Sequence, residues 1–304
     1  MVGPTASGKS ELALAIAETL PVEILVADSR QVYRGMDVGT AKPTSAEQRR
    51  VPHHLLDLVA PDEPFTAADW VRLARRLVVE VAARGRLPLV VGGTGLYVSA
   101  LVHGFRFGAH PGSGEIRARL EADLAEHGIS ALGERLRSLA PEVAARTDLR
   151  NPRRVLRALE RAAAGDLVPP GTDPYAGAVT LIGLERPPQV LEAAIATRTA
   201  RLFRDGLLEE TSALLAAGYA ADLPALSGHG YREAARYLMG EGSLEEAIAT
   251  TALRTRQYAR RQRAWLRREP EIRWLDLGEG PAGERSVVDR VLRLLEVPPA
   301  GAGD

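Results

Sequence analysis

The sequence predicts an α/β fold in which a parallel sheet with helices on both faces carries an all-helical insertion. The first third of the chain alternates loop, helix, strand, helix and strand, which is typical of a parallel sheet. Residues 115–165 show consecutive helical patterns with no strand between them, and a strand pattern returns at 179–184. The predicted boundaries are a core of residues 1–111 and 176–297, a helical insertion of residues 112–175, and a disordered tail of residues 298–304.

Hydrophobic periodicity and capping patterns give the elements in order. Before the insertion, the predicted elements are a helix at 11–20, a strand at 22–27, a weaker strand at 54–58, a helix at 66–83 opened by a capping pattern of Thr66 and Asp69, and a strand at 87–91. After a loop rich in Pro and Gly at 166–177, they are a strand at 179–184, helices at 188–217, 231–239 and 243–268, a strand at 272–276, and a helix at 285–296.

Composition narrows the classes of function. The chain has 304 residues, of which 45% are hydrophobic, so it can bury a core. Its 39 basic and 39 acidic residues cancel, so nucleic-acid binding would need local clusters of charge. The absence of Cys excludes disulfides, thiolate metal sites and a Cys nucleophile. No apolar run approaches the ~18 residues of a membrane span, and no leader pattern is present, so we expect a cytoplasmic protein without a membrane partner.

Residues 3–10, GPTASGKS, fit the phosphate-binding pattern G-x-x-x-x-G-K-S/T. Gly3 and Gly8 let the backbone curl so that its N–H groups face one point at a helix start. Lys9 then reaches the terminal phosphates, and the Ser10 hydroxyl ligates Mg²⁺. A chance match in a glycine-rich turn is the alternative. Such a loop normally follows a buried strand, yet only two residues precede Gly3, so the leading strand is expected to be missing. Either the start of the chain is mis-set or truncated, which we favour, or the fold works without most of its central strand.

Polar residues follow two of the predicted strands. Asp28 comes directly after strand 22–27, and Thr94 lies in the turn after strand 87–91. Ligands of open α/β sheets bind beyond the carboxyl ends of the strands. Asp28 is therefore a Mg²⁺ ligand or a general base, or else it caps the next turn. Thr94 bonds a phosphate or an acceptor nitrogen, or else it belongs to a turn whose glycines allow close packing.

The segment 254–268, RTRQYARRQRAWLRR, has seven Arg in fifteen positions. On a helix, four of them share one face, because they follow at intervals of four, three and four residues: Arg256, Arg260, Arg263 and Arg267. Such a stripe repels itself unless a polyanion lies against it, so it predicts contacts with RNA phosphates. Tyr258 and Trp265 either pack on the core or stack on bases. A solvated Arg face is the alternative.

A second basic cluster, Arg153, Arg154 and Arg157, lies in the predicted insertion and has the same two interpretations. The basic residues are grouped while the acidic ones are spread, which is typical of an enzyme with one nucleic-acid-binding face.

Several motifs, in order and over nearly the whole chain, resemble the tRNA dimethylallyltransferase family, also called the IPP transferase family. They are GPTASGKS (3–10), DSRQVYRGMDVGTAKP (28–43), VPHHLLD (51–57), GGTGLY (92–97), NPRRVLRALE (151–160), GHGYRE (228–233) and the basic segment 254–268. The second of these is far more specific than the phosphate loop. The sequence departs from the family at His229, where an aliphatic residue is usual.

The resemblance implies a reaction and its partners. The family has a P-loop NTPase-like core, yet its loop holds the diphosphate of dimethylallyl diphosphate. The dimethylallyl group passes to N6 of adenosine 37, next to the anticodon, in tRNAs that read codons beginning with U. The products are N6-(dimethylallyl)adenosine and diphosphate, and Mg²⁺ assists. The partners are the anticodon stem-loop of tRNA and the prenyl donor, and one monomer suffices for one tRNA.

The resemblance also assigns residues. Asp28 is the general base and Thr94 holds the reacting amine or the bridging oxygen. The diphosphate lies against Gly3, Pro4, Thr5, Ala6, Ser7, Gly8, Lys9, Ser10 and Arg198. The flipped adenosine contacts Asp28, Ser29, Arg30, Gln31 and Thr94. The anticodon arm contacts Arg117, Arg153, Arg154, Val155, Leu156, Arg157, Ser227, Gly228, His229, Gly230, Tyr231, Arg232, Arg256, Arg260, Arg263 and Arg267, and the insertion closes over the anticodon loop.

Two rivals come from other classes. A small-molecule kinase would use the phosphate loop with ATP, but it leaves the Arg-rich segment and residues 28–43 without a role. A non-catalytic RNA-binding protein would carry the loop as a relic. The joint presence of Lys9, Ser10, Asp28 and Thr94 argues against such decay.

Overall fold

The computed structural model describes residues 1–107, 114–166 and 171–296. The predicted tail at 298–304 lies outside these residues, as does the junction predicted between residues 111 and 112. The chain divides into two compact units. One comprises Met1–Val102 and the described chain from Ala176 onward, and the other is His103–Tyr175. In the described ranges, no helix is long and apolar enough to cross a membrane.

The first unit contains a parallel sheet, which confirms the predicted α/β class. Its strands are β1 (Val22–Ala27), β2 (His53–His54), β3 (Leu87–Gly92), β4 (Ile182–Glu185) and β5 (Arg273–Asp276). The order β2-β1-β3 forms one part and β4-β5 the other, with every pair parallel. Val2 pairs in parallel with both Gly92 and Gly183 and so joins the two parts.

The two residues ahead of the phosphate loop therefore occupy the place of the leading strand, which was expected to be missing. The Val2 N–H donates to the Ile182 carbonyl at 2.8 Å, and the Val2 carbonyl accepts from Leu184 N–H at 2.8 Å. The Met1 amine donates to the Val90 carbonyl at 2.6 Å. This short segment delivers Gly3 to the middle of the carboxyl edge of the sheet.

The predicted helices occur in the predicted order, and two helices that were not predicted are present as well. The helices are α1 (Lys9–Ala17), α2 (Ser45–Arg50), α3 (Ala67–Ala83), α4 (Gly95–Val102), α5 (Gly114–Leu139), α6 (Pro141–Ala145), α7 (Pro152–Ala163), α8 (Pro188–Arg204), α9 (Leu207–Ala216), α10 (Tyr231–Leu238), α11 (Leu244–Leu266) and α12 (Arg285–Glu296), of which α2 and α4 were not predicted. The predicted capping box at Thr66 is confirmed, since its side chain accepts from Asp69 N–H and the Asp69 carboxylate accepts from Thr66 N–H. The single helix predicted at 188–217 is wrong, because Gly206, at φ +112°, separates α8 from α9.

The strand predicted at 54–58 is also wrong in extent. Only His53–His54 pair with β1, because Leu55 and Asp57 adopt left-handed φ values of 68° and 53° that no strand accommodates. The strand predicted at 179–184 starts later, at Ile182.

Apolar side chains from both parts of the sheet form the core of the first unit. Strand β1 is buried along its whole length. Leu12 and Ile16 of α1 and Val288 of α12 belong to one buried cluster with it. In another part of the unit, the Trp70 ring stacks on Tyr97 at 4.8 Å and its indole N–H donates to the Val26 carbonyl at 3.0 Å. These contacts fix the strand ends that carry the site.

The second unit is helical in its described part and has its own core. Helices α5, α6 and α7 pack around buried side chains such as Leu136 and Val155. This compact unit comprises His103–Tyr175. Its two connecting segments pair with each other, with an antiparallel bridge between Phe105 and Thr172 and a 2.7 Å bond from Asp173 N–H to the Gly104 carbonyl.

Candidate active site

A cavity lies at the carboxyl edge of the sheet, beside the phosphate loop. One part of its lining is polar and contains Thr5, Lys9, Ser10, Asp28, Gln31, Arg198, Tyr258 and Gln262. Another part is apolar and contains Ala13, Ile24, Val26 and Val91. Cationic and hydroxyl groups thus share one cavity with small aliphatic side chains.

The phosphate loop has the backbone that its sequence predicts. Gly8 adopts φ +96° and caps α1. A Cβ at Gly8 would lie 2.4 Å from the Cβ of Ala282, so the loop needs glycine here both for its dihedral angle and for space. Lys9 folds back so that its Nζ donates to the carbonyls of Gly3 at 2.9 Å and Pro4 at 2.6 Å.

The electrostatics of Lys9 suit an anion. Burial and the nearby positive charge of Arg198 lower the pKa of Lys9 to about 7, while the charge of Asp28 opposes the shift. Burial likewise lowers the pKa of Arg198, again opposed by Asp28. Both cations are held where water solvates them poorly, so an incoming anion gains more from them than it would at an exposed site.

Arg186 supports the phosphate loop from behind, a role that sequence analysis missed. Its buried guanidinium donates from Nε to the Ser7 carbonyl at 3.1 Å. Its Nη1 donates to the carbonyls of Gly278 at 3.2 Å and Gly280 at 2.8 Å. The side chain ties the loop to the turn that carries Ala282. Its place two residues after the strand pattern at 179–184 was the available signal.

The structure brings the two strand-end residues predicted to be catalytic onto neighbouring strands. Asp28 lines the cavity, and its Oδ1 accepts from Arg30 N–H at 2.8 Å. Thr94 Oγ1 accepts from Ser29 N–H at 3.0 Å, which ties the turn after β3 to the end of β1. Thr94 is not among the residues that line the cavity.

The segment 31–43 forms a second wall. Gln31 Nε2 donates to the carbonyls of Thr40 at 3.1 Å and Ala41 at 3.2 Å. Arg198 Nη2 donates to the same Thr40 carbonyl at 3.4 Å. The predicted diphosphate ligand Arg198 is therefore held by the backbone of this segment.

Glu210 of α9 fixes the segment from outside. Its Oε2 accepts from the N–H groups of Asp37 and Val38, both at 2.8 Å, and its Oε1 accepts from Gly39 N–H at 3.0 Å and from the Tyr231 hydroxyl at 2.5 Å. Four donors on one carboxylate make a strong anchor, because hydrogen bonds to charged acceptors exceed neutral ones.

Lys42 secures the far end of the segment. Its Nζ donates to the Tyr33 carbonyl at 3.0 Å and pairs with Asp37 and Asp57, each at 2.5 Å.

Gln262 of α11 joins the two glycine-rich loops. Its Oε1 accepts from Thr5 N–H at 2.9 Å, and its Nε2 donates to the Gly93 carbonyl at 2.8 Å. The charge pattern of this stretch predicts a basic stripe and does not indicate a role for the amide within it. The signal was present, since Gln262 is an uncharged residue among Arg neighbours on the face opposite to the stripe.

The stripe on α11 is partly neutralised by the protein itself. Arg260 pairs with Glu192 at 3.2 Å. Arg263 and Arg267 share the carboxylate of Glu185, whose pKa is lowered first by its hydrogen bond from Arg263. The self-repulsion expected from the sequence is thus relieved without a polyanion. Arg260 still has 75% of its side chain exposed, whereas Arg263 has 26%.

The structure places the two aromatic residues of α11 differently. Trp265 is half-buried and packs so closely on Gly95 that a Cβ there would lie 2.1 Å from its ring. Tyr258 lines the cavity.

The turn before α10 lies beside the end of β1. Arg30 reaches it, donating to the Ala225 carbonyl at 3.2 Å and to Ser227 Oγ at 3.1 Å. Ser227 and Arg232 are exposed and Gly228 and His229 are half-buried, whereas Gly230 is buried. The Tyr231 side chain is buried on Glu210, which corrects its predicted role, since a side chain in the core is not a surface for RNA.

In the second unit, Arg153 and Arg154 are exposed at the start of α7. Arg157 lies 3.8 Å from Glu160, and Arg117 pairs with Glu160 at 3.2 Å and Glu121 at 2.6 Å. Two of the predicted contacts are corrected here, because the side chains of this helix that pack in the core of the unit are Val155 and Leu156.

The oxygen donors of the cavity fit a hard divalent cation. Mg²⁺ is held by one or two protein oxygens together with substrate phosphates and water. The Ser10 hydroxyl and the Asp28 carboxylate supply such oxygens in one cavity. A preformed group of three or more His, Asp or Glu is not found among the described residues, and a cation shared with a phosphate ligand needs none.

Fold and site together define a P-loop protein whose cavity at the carboxyl edge of a parallel sheet suits a phosphate-bearing ligand. Residues 31–269 match the family described as IPP transferase. The chain belongs to this family, which confirms the resemblance seen in the motifs.

Similar proteins agree. The chain is 46% identical over 281 residues to a tRNA dimethylallyltransferase of Salinispora arenicola, covering 91% of this chain and 81% of that one. It is 48% identical over 284 residues to one from Anaeromyxobacter dehalogenans, covering 90% and 93%. Among solved structures, the tRNA isopentenylpyrophosphate transferase of Bacillus halodurans matches with a TM-score of 0.72 and 38% identity, over 97% of this chain and 95% of that one. A eukaryotic dimethylallyltransferase acting on tRNA, at 22% identity and a TM-score of 0.77, shares the fold.

Proposed function

We propose that this protein transfers the dimethylallyl group of dimethylallyl diphosphate to N6 of adenosine 37 in tRNAs that read codons beginning with U. The products are N6-(dimethylallyl)adenosine and diphosphate. One observation carries the proposal, namely that Lys9, Ser10 and Arg198 share a cavity with Ile24, Val26 and other aliphatic side chains. Cations next to a small apolar wall suit a ligand that is diphosphate at one end and branched hydrocarbon at the other.

The leaving group is stabilised by the phosphate loop. As the bond between the prenyl carbon and the diphosphate oxygen breaks, negative charge grows on the diphosphate. Lys9 and Arg198 are poorly solvated groups in the same cavity, so they stabilise that charge more strongly than exposed groups would. Mg²⁺ held by Ser10 would supply further neutralisation when bound.

Asp28 acts on the acceptor. The adenine N6 forms the new bond to the prenyl carbon and gives up one proton, which the Asp28 carboxylate takes. Its Oδ1 is oriented by Arg30 N–H at 2.8 Å. The adenine reaches the cavity only when it leaves the anticodon stack, as in other enzymes that modify nucleobases.

The RNA lies against exposed basic side chains. On the first unit, these are Arg260 of α11, Arg267 directly after that helix, and Arg232 at the start of α10. On the second unit they are Arg153 and Arg154. We place the reaction in the cytoplasm, with one monomer acting on one tRNA, which light scattering of the free and RNA-bound protein tests.

A transfer assay tests the proposal. The protein is incubated with Mg²⁺, labelled dimethylallyl diphosphate and an anticodon stem-loop with adenosine at positions 36 to 38. Label is expected in this RNA and not in one with guanosine at position 37. Asp28→Asn is expected to bind RNA normally and lose transfer, while Asp62→Asn, an exposed control, keeps it. Phosphorylation of a small molecule by ATP, without prenyl transfer, would overturn the proposal in favour of a kinase.

A further inference from the structure

The apolar part of the cavity follows strand β1 away from Asp28. Val26 and Ile24 precede Asp28 at intervals of two residues, and both line the cavity, so they lie on one face of the sheet. Each interval of two residues corresponds to about 7 Å along the strand. Val26 therefore forms an upper level of the apolar wall, paired with Val91 of β3, and Ile24 forms a lower level, paired with His53 of β2.

The lower level closes the cavity. Ile24 is 2% exposed and Ala13 of α1 is 1% exposed, and both belong to the buried cluster that contains Ile16 and Val22. Val22 is the next residue on the same face of β1, yet it is not among the residues that line the cavity. Protein interiors are packed as densely as organic crystals, so this floor yields little to a longer ligand.

The cavity is also small. Its volume is about 110 Å³. An apolar cavity of ~150 Å³ holds one benzene molecule, which has six carbons. The five carbons of a dimethylallyl group are therefore close to what the apolar part can hold, and the ten carbons of a geranyl group exceed it.

A second cavity adjoins the first but does not suit hydrocarbon. The two cavities share Ser10, Ala41, Pro43, His53 and Arg198. The charged residues that line only the second cavity are Asp37, Lys42, Glu47, Asp57, Arg201 and Asp205. A hydrocarbon chain there would displace water from charged groups, which costs free energy. A longer prenyl chain thus meets a packed floor on one side and charged groups on the other.

We propose that Ile24 and Val26 are specificity-determining residues, which limit the donor to a single isoprene unit because they close the cavity around its prenyl group. The inference rests on the proposed function and adds to it the residues that set the chain length. Geranyl diphosphate, which carries a second isoprene unit on the same diphosphate, is the donor that this floor excludes.

The first test compares kcat/KM for transfer from dimethylallyl diphosphate and from geranyl diphosphate to the anticodon stem-loop. The wild type is expected to favour dimethylallyl diphosphate by at least ~100-fold, because one methylene in a small apolar pocket already changes kcat/KM by roughly 10- to 200-fold. Ile24→Ala removes three carbons from the floor and should raise kcat/KM for geranyl diphosphate at least ~10-fold. A wild type that uses both donors equally, or an Ile24→Ala variant with the wild-type preference, would overturn the proposal.

Val22→Ala is a matched control for Val26→Ala. Both changes remove two carbons from a buried valine on the same face of β1, but only Val26 lines the cavity. Val26→Ala should shift the preference toward geranyl diphosphate ~10-fold, whereas Val22→Ala should leave it within about twofold of the wild type. An equal shift in both variants would refute the assignment, since selectivity would then follow the stability of the strand.

Val26→Ile keeps the proposal testable if a truncated floor does not fold. This variant adds one carbon to the upper level, so kcat/KM for dimethylallyl diphosphate should fall ~10-fold or more. The affinity for inorganic diphosphate, which has no hydrocarbon chain, should stay within about twofold. Wild-type transfer by a Val26→Ile protein that binds inorganic diphosphate normally would count against the proposal.

Calorimetry gives a readout that does not depend on transfer. Geranyl diphosphate should bind to the wild type at least ~10-fold more weakly than dimethylallyl diphosphate, and Ile24→Ala should narrow this gap. Inorganic diphosphate should bind to both proteins alike, which verifies that the phosphate loop is intact. Equal affinities of the wild type for the two donors would overturn the inference. A wild type that transfers neither group, yet binds dimethylallyl diphosphate selectively, would instead count against the proposed function alone.

Discussion

The anchor of segment 31–43 gives a prediction whose size follows from its atoms. Glu210→Gln replaces one carboxylate oxygen with an NH₂ group. At Oε2, that group would face two backbone donors, Asp37 N–H and Val38 N–H. At Oε1, it would face only Gly39 N–H, since the Tyr231 hydroxyl can rotate and accept instead. We therefore expect the amide nitrogen at Oε1.

The expected loss is one hydrogen bond to a charged acceptor and the weakening of two others. Bonds to charged groups contribute about 1.5–3 kcal/mol and neutral ones about 1 kcal/mol. Because Asp37 is exposed and water replaces part of the loss, we expect Glu210→Gln to lower the free energy of unfolding by about 2–4 kcal/mol. Donor affinity should fall as well, since the Thr40 carbonyl that holds Arg198 lies in this segment.

Urea unfolding followed by circular dichroism measures the change. Glu209→Gln is a matched control, because Glu209 is exposed in the same first turn of α9 and shares its helix-dipole environment. Its free energy of unfolding should change by less than about 0.5 kcal/mol. If Glu210→Gln is no less stable than Glu209→Gln, the reasoning about the anchor is refuted.

Three further predictions concern ligands. The pKa of Lys9 is about 7 in the free protein, and bound diphosphate should raise it. The affinity for diphosphate, measured by calorimetry, should therefore fall up to ~10-fold per pH unit above 7. Lys9→Arg, whose side chain stays charged, should show a weaker dependence on pH. Gln262→Glu turns a donor toward the Gly93 carbonyl into an acceptor and should weaken diphosphate binding ~10-fold or more, unlike exposed Gln257→Glu. Arg260→Ala should flatten the log–log salt dependence of tRNA binding by ~0.7–0.9, whereas Arg285→Ala, equally exposed at 75%, should leave the slope unchanged.

The parts of the fold that local patterns specify were predicted well. Strand β1 and the helix capped at Thr66 depend on neighbouring residues, and the structure has them at the expected positions. The prediction of one helix at 188–217 was wrong because a single glycine, Gly206, turns the chain. The φ of a glycine inside an amphipathic pattern cannot be predicted from that pattern. The predicted extent of β2 was wrong for a similar reason, because Leu55 adopts a left-handed conformation that its apolar side chain does not indicate.

The site was predicted only where one motif contains it. Lys9 and Asp28 follow from the loop and the strand end, whereas Arg198 came from the resemblance alone. The role of Glu210 could not be predicted from the sequence, because it bonds to a segment more than 170 residues away in the chain. The places of Gln262 and Tyr258 at the cavity were not predicted, because the charge pattern of the Arg residues around them describes one face of the helix and not the other.

Helix α11 carries Gln262 and Tyr258 on its inner side and exposed Arg residues on its outer side, and this has a thermodynamic consequence. If RNA bound at the outer side displaces α11, it also displaces the amide that joins Thr5 to Gly93. In the proposed reaction, the prenyl donor and the RNA would then be coupled ligands, and each would change the affinity of the protein for the other by the same factor. An order of binding observed in kinetics would then reflect this mutual dependence, which helix α11 would transmit between the two ligands.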